Sequence, residues 1–185
     1  MTRAIMSPRQ AAVLILVRNA DSSDPQILLT KRAAHLSSHA GEIAFPGGMK
    51  DEGDSDLLAT ALRETEEEVG IGADSIAVRM RLPRCYTGLG VEVFPFVGNL
   101  IEAVPLRLQA AELESAFWLP HSFLLADPRQ RTDIFYRNDK EFWAPAYHFG
   151  EHVIWGLTAR LLVEFINRHG GQLQRQHRAP EVQFI

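Results

Sequence analysis

The chain has 185 residues, 46% of them apolar and 23% charged, the balance of a soluble globular protein with enough apolar side chain for a sizeable core. A net charge of −4 argues against non-specific nucleic-acid binding, and no apolar run is long enough to span a membrane. The single cysteine, Cys85, excludes an intrachain disulfide; with no signal-peptide core in "MTRAIMSPRQ", this points to the cytoplasm.

In chain order, "AAVLILVR" (11–18) predicts a largely buried strand, and "QILLTKR" (26–32) a second, joined by the turn cluster "DSSDP". A loop rich in Gly, Ser, Asp and Pro follows, with a short apolar piece at "EIAF" (42–45). "SDLLATALRETEEEVG" (55–70) predicts a helix, from its Ser/Asp start, good helix formers and glycine stop. "DSIAVRMRLP", "VEVFPFVGNL" and "ESAFWLP" predict further strands, with Pro95 marking an edge or a bulge. "TDIFYRN" and "EFWAPAYHF" predict a hairpin about an "NDK" turn. A second helix is expected over 152–170, where Ile154, Leu157, Leu161, Leu162 and Phe165 recur at helical spacing. A polar, basic tail closes the chain. Strands with interspersed helices imply a mixed α/β sandwich.

The first helix carries an anomaly. At roughly 100° per residue, Leu58, Ala61, Leu62, Thr65 and Val69 form its core-facing stripe. Glu64, Glu67 and Glu68 then cluster on an adjacent face, while Glu66 points elsewhere and Arg63 can reach Glu67. Like charges at this spacing cost roughly 0.2–0.5 kcal/mol per pair, and the negative C-terminal end of the helix adds a similar penalty. The face is either a solvated acidic surface or a site for a hard divalent cation, which reverses the sign of the balance. Upstream, "FPGG" (45–48) permits positive φ and close backbone approach, so it can offer a carbonyl as a further ligand.

Turn and helix together resemble the box of the Nudix hydrolases, G-x5-E-x7-R-E-U-x-E-E-x-G-U, with U bulky and apolar. Gly48, Arg63, Glu64, Glu67, Glu68, Gly70 and Ile71 fall in its fixed slots. Asp54 stands where the first glutamate is expected, one extra residue separates it from Arg63, and Thr65 occupies an apolar slot. A longer, Asp-containing loop resembles the coenzyme A pyrophosphatase branch. That branch carries an upstream signature like L-L-T-x-R-S/A-x3-R-x3-G-x3-F-P-G-G, and "LLTKRAAHLSSHAGEIAFPGG" (28–48) matches it except for Ser37 in the arginine slot. "TGLGVEVFPFVG" and "IWGLTA" are also similar to that branch.

The resemblance implies a Nudix-type α/β/α sandwich with a mixed sheet, one domain over 1–185 with its core at about 10–168 and a C-terminal tail at 171–185. It implies metal-dependent hydrolysis of a nucleoside diphosphate linked to a further group X. For this branch the substrate is coenzyme A or a derivative, and the products are 3′-phospho-AMP and 4′-phosphopantetheine. Glu64, Glu67 and Glu68, with the Gly48 carbonyl, would hold Mg²⁺ or Mn²⁺; Glu64 is also a possible base. Arg63 is expected to orient Glu67 or Asp54. Glu112 and Glu114 are candidates for a distal catalytic glutamate, Glu112 being the better fit. Lys31, Arg32, His35, Ser37 and His39 are the candidate substrate-binding residues, with Arg81 and Arg84 as further basic residues. Tyr147 and Trp155 are read as core or dimer contacts. A homodimer is expected, with a small molecule as partner and neither nucleic acid nor membrane. Two other readings stand beside this one: a hydrolase of another such substrate, for example ADP-ribose or a dinucleotide, and a Nudix-fold nucleotide-binding module without turnover.

Overall fold

The structure, a computed structural model, describes residues 9–137 and 140–169. Its organising strand is β1 (Gln10–Arg18), which runs parallel to β7 (Glu92–Leu100) along one edge. Along the other edge β1 takes two antiparallel partners in succession. Residues 11–13 pair with β4 (Gly47–Met49), and Val17 and Arg18 pair with β2 (Gln26–Arg32). Between them Leu14 N donates to the Pro46 carbonyl at 2.9 Å. One short segment therefore bridges two strands: β3 (Ile43–Ala44) pairs with β2, and β4 with β1, on either side of Pro46. The piece expected at "EIAF" is this bridge.

β8 (Leu113–Pro120) flanks β2 on its far side, while β5 (Ile76–Arg81) and β6 (Cys85–Tyr86) flank β7. The eight strands make one mixed sheet. β7 is interior, so Pro95 does not mark an edge. It sits where the outer neighbour is interrupted: its carbonyl accepts from Leu82 N, between the end of β5 and the start of β6. A proline there removes no ladder hydrogen bond from a continuous partner. The irregularity of pairing lies on β5, between Val78 and Met80. β9 (Arg129–Arg137), β10 (Lys140–Phe149) and β11 (His152–Ile154) form a separate antiparallel sheet. The predicted hairpin is β9–β10; Asn138 and Asp139 of its turn lie outside the described residues.

β1 is buried on both faces, which is why its sequence is an apolar run without alternation. Ala12, Leu14 and Leu16 join a cluster with Ala61, Val69, Phe94 and Phe96 under α1 (Leu57–Val69). Ala11, Ile15 and Val17 face the opposite cluster, with Leu162, Val163 and Phe165 of α3 (Gly156–Arg168) and Tyr147 of β10. The result is an α/β/α sandwich with a mixed sheet in the middle.

α1 starts at Asp56, whose side chain accepts from Ala59 N at 2.8 Å, and stops at Gly70 in the left-handed region, φ 74°. Thr65 fits its apolar slot because its hydroxyl donates within the helix, to the Ala61 carbonyl at 2.7 Å. The second helix is shorter than its periodicity predicts. Gly150, at φ 60°, and Glu151 form a two-residue turn that returns the chain as β11 before α3 begins at Gly156. A five-residue helix, α2 (His121–Leu125), has no counterpart among the predicted elements. The predicted tail, 171–185, lies outside the described residues.

Candidate active site

The two glycines of "FPGG" have different neighbours. A Cβ on Gly47 (φ 152°) would overlap the Ala12 carbonyl and come within 2.7 Å of Val13 Cα. A Cβ on Gly48 would overlap the Glu64 carboxylate. The pair therefore lets β4 lie tight between β1 and the acidic face of α1. Gly47 N also donates to Glu68 Oε2 at 3.2 Å.

Arg63 is the hub on the exposed side. It grips Asp54 through two bonds, Nε to Oδ1 at 2.9 Å and Nη2 to Oδ2 at 3.1 Å. Its Nη1 lies 3.0 Å from Glu67 Oε2 and 3.1 Å from Glu64 Oε1, and Nη2 donates to the Met49 carbonyl at 3.3 Å. Thr60 Oγ1 and Asp51 N complete the shell of Asp54. The guanidinium holds the Asp54 carboxyl far below the usual carboxylate range, and Arg63 itself is raised, mainly by Asp54. Asp54 in the glutamate slot thus binds the box arginine across the lengthened loop.

Glu68 is buried although it is charged by type. Burial pushes it up to about 8; the Gly47 amide opposes this, while Glu64 and Glu112 repel its charged form. Arg32 Nη1, 4.0 Å from Glu68 Oε1, offsets only part of the cost. Glu64 is likewise raised, first by burial, against the pull of Arg63. No basic residue occupies the last turn of α1. Its terminal carbonyls are met by backbone instead: Arg107 N donates to Val69 O and Gln109 N to Glu68 O, each at 2.9 Å. This docking, which nothing in the sequence announced, brings the loop carrying Glu112 to the carboxylates.

Among the described residues, no three acidic, histidine or cysteine side chains already converge as a metal cage. The donor set nevertheless fits a hard divalent ion. It offers oxygen donors from Glu64, Glu67 and Glu68, a glycine cradle against Glu64, and a buried carboxylate lacking a full counter-charge. Arg63 now occupies Glu64 and Glu67, so an ion held by them would share or displace its contacts.

The remaining candidate residues separate. β2 alternates: Leu28 and Arg32 face the α1 side, whereas Ile27, Leu29 and Lys31 face the other. Arg32 therefore joins the carboxylates, and its Nε is buried without a hydrogen-bond partner among the described residues. Lys31 is on the opposite face, paired with Glu114 at 2.7 Å. Of the two distal glutamates, only Glu112 acts on Glu64 and Glu68. His35 Nε2 lies 3.1 Å from the Ala111 carbonyl, His39 Nδ1 lies 2.8 Å from Glu42 Oε2, and Ser37 is exposed. Arg84 is bound by Glu92 at 2.6 Å, and Arg81 lies over the Phe94 ring. Tyr147 is buried in the core, as expected; Trp155 is 39% exposed.

Residues 8–138 match the NUDIX domain family. This chain belongs to the Nudix family. It is 39% identical over 167 residues to an uncharacterized Nudix hydrolase, NudL, of Salmonella typhimurium, covering 89% of this chain and 84% of that one. NudL of Salmonella typhi shows the same identity and coverage. In fold it is similar to a MutT/nudix family protein from Enterococcus faecalis, with TM-score 0.60 and 17% identity over 91% of this chain and 64% of that one. The NUDIX domain of Shewanella oneidensis NrtR, solved with ADP ribose, matches with TM-score 0.51 and 21% identity over 68% and 81%. This is a Nudix-type hydrolase acting on a nucleoside diphosphate linked to a further group. Members of the family generally use divalent metal ions. No helix among the described residues is long and apolar enough to cross a membrane.

Proposed function

We propose that this Nudix hydrolase cleaves the pyrophosphate of coenzyme A or its derivatives, giving 3′-phospho-AMP and 4′-phosphopantetheine or its acyl form. The observation that carries this reading is the approach of Arg32 to Glu68, at 4.0 Å. Arg32 belongs to the 28–48 signature and Glu68 to the box, so the substrate-selective and hydrolytic motifs meet at one place.

Glu64, Glu67 and Glu68, with the Gly48 carbonyl, would hold Mg²⁺ or Mn²⁺. Once bound, the ion neutralises charge on the pyrophosphate and makes water a better nucleophile. Arg63 is a positioning residue: it fixes Glu67 against Asp54 and reaches no substrate itself. Arg32 meets phosphate charge, and its buried, unpartnered Nε suits a charged acceptor. A carboxylate of this group, Glu112 or Glu64, takes the proton of the attacking water as the P–O bond to the leaving phosphate breaks. The same reading takes the chain as one cytoplasmic domain working as a homodimer, a state that sedimentation would measure.

The test is a substrate panel with Mg²⁺ and Mn²⁺, read by product identity. Coenzyme A is expected to release 3′-phospho-AMP, with the form lacking the 3′-phosphate a poorer substrate. Equal or better kcat/KM on ADP-ribose would remove the coenzyme A assignment but keep hydrolysis. No turnover of any substrate would leave a binding module.

A further inference from the structure

On the face of β2 opposite Arg32 lies a cavity of about 380 Å³, lined by Lys31, Ala40–Ile43, Glu151–Val153 and Trp155. Its size falls within the roughly 300–1,000 Å³ of small-molecule pockets. Nothing in the hydrolytic reading uses it. Its walls come from two segments far apart in sequence, the signature loop and β11, brought together where β11 packs beside β3.

The charges decide what fits. The lining carries one lysine against two glutamates, Glu42 and Glu151. Lys31 is already bound by Glu114, and Glu114 and Glu151 both hold it in its charged form. A phosphate would enter against this balance. The other walls are flat or apolar: Trp155 and Val153 are partly exposed, and His152 is held by stacking on Phe117, with centroids 4.1 Å apart and planes 6° apart. A rigid aromatic wall beside carboxylate acceptors and an ammonium donor suits a planar, uncharged ring that bears N–H groups and ring nitrogens.

We propose that this cavity binds the purine ring of a nucleotide, with the Trp155 indole as its apolar wall and the Glu42 and Glu151 carboxylates as acceptors for the N–H groups of its exocyclic amine. The choice of a purine rests on the nucleoside diphosphate reading of the carboxylate site. The cavity is also coupled to that site: Gly41 N donates to Arg32 O at 3.1 Å and Arg32 N to Glu42 O at 3.0 Å. The backbone that shapes the pocket therefore holds the arginine at Glu68.

The experiment is calorimetric titration of the whole protein with adenosine, which has no pyrophosphate and cannot be hydrolysed there. Pantetheine, a flexible molecule without a ring, is titrated in parallel. Adenosine is expected to bind. Trp155→Leu should weaken it roughly tenfold or more, the loss of one base–aromatic stack, whereas Trp155→Phe retains binding. Ala40→Phe, at an exposed position on the cavity wall, should block it without touching the core, and so serves if Trp155→Leu fails to fold. Glu68→Gln should leave it unchanged. Competitive inhibition of hydrolysis by adenosine would mark the ring as part of the substrate, and non-competitive inhibition a separate nucleotide. The proposal is overturned if adenosine does not bind, if neither Trp155→Leu nor Ala40→Phe alters its binding, or if pantetheine binds in its place. Because binding is read without turnover, failure here is distinct from failure of the coenzyme A assignment.

Discussion

The Glu64 carboxylate stands where a side chain on Gly48 would be. The obstacle is the end of a flexible side chain, so Gly48→Ala is expected to fold with Glu64 displaced. Its Tm should fall by only a few degrees, roughly 1 kcal/mol at this chain length, while kcat on coenzyme A falls at least about tenfold, one step of 1.36 kcal/mol in the barrier. Gly47→Ala meets backbone instead and should lose far more Tm. Similar Tm losses with unchanged kcat for Gly48→Ala would separate the glycine from function.

Asp54 and Arg63 give the stability an acid limb. The folded-state pKa of Asp54 is depressed below 3.8, so its contribution is fully present above that pH and lost as pH falls through the folded value. Asp54→Asn should melt below the parent at pH 7, and the gap should narrow as pH drops below about 3.8. A gap independent of pH would mean that the charge pairing contributes nothing.

Glu68 has the opposite sign. Its folded pKa is raised from 4.5 to about 8, so the unfolded chain gives up this proton first. The metal-free protein therefore loses stability from this residue as pH rises between those values, and no more above them. A cation needs the ionised form, so the Tm gain on adding Mg²⁺ should increase with pH over the same window. A gain that is flat with pH would exclude Glu68 as a ligand.

Ser37 stands exposed in the loop where the signature has arginine. Hydrogen bonds to charged groups contribute about 1.5–3 kcal/mol, more than a neutral hydroxyl supplies. Ser37→Arg is expected to lower KM for coenzyme A with little change in kcat, the mark of uniform binding. An unchanged or higher KM would mean that residue 37 does not face the substrate.

What could be read from the sequence was whatever is local. The apolar run of β1, the cap and stop of α1, and the i, i+3, i+4 spacing of the glutamates each depend on neighbouring residues. The burial of Glu68 was not legible, because it depends on β4 lying against α1. Strand alternation alone puts Lys31 and Arg32 on opposite faces of β2; which of the two faces the glutamates was not legible, because it depends on which side of the sheet α1 covers. α3 starts later than its periodicity predicts because Ile154, which fits the helical period, lies in β11 and pairs with Tyr147 of β10 once Gly150 turns the chain back. The place of Trp155 at a cavity likewise depends on β11 packing beside β3, a contact between segments far apart in sequence.

The most direct measurement pairs metal-free Tm with metal-saturated kcat for Glu68→Gln and Glu66→Gln. At pH 7 burial disfavours the charged form of Glu68 in the metal-free protein, a cost that the nearly isosteric glutamine does not carry, so Tm should rise above the parent's. With Mg²⁺ and coenzyme A, kcat of Glu68→Gln should fall by orders of magnitude, because the charge that holds the ion is gone. Glu66 is exposed on another face of the same helix, and its variant should keep near-parental turnover. Near-parental kcat for Glu68→Gln, or equal losses in both variants, would contradict the account and leave the carboxylates as an acidic helix surface.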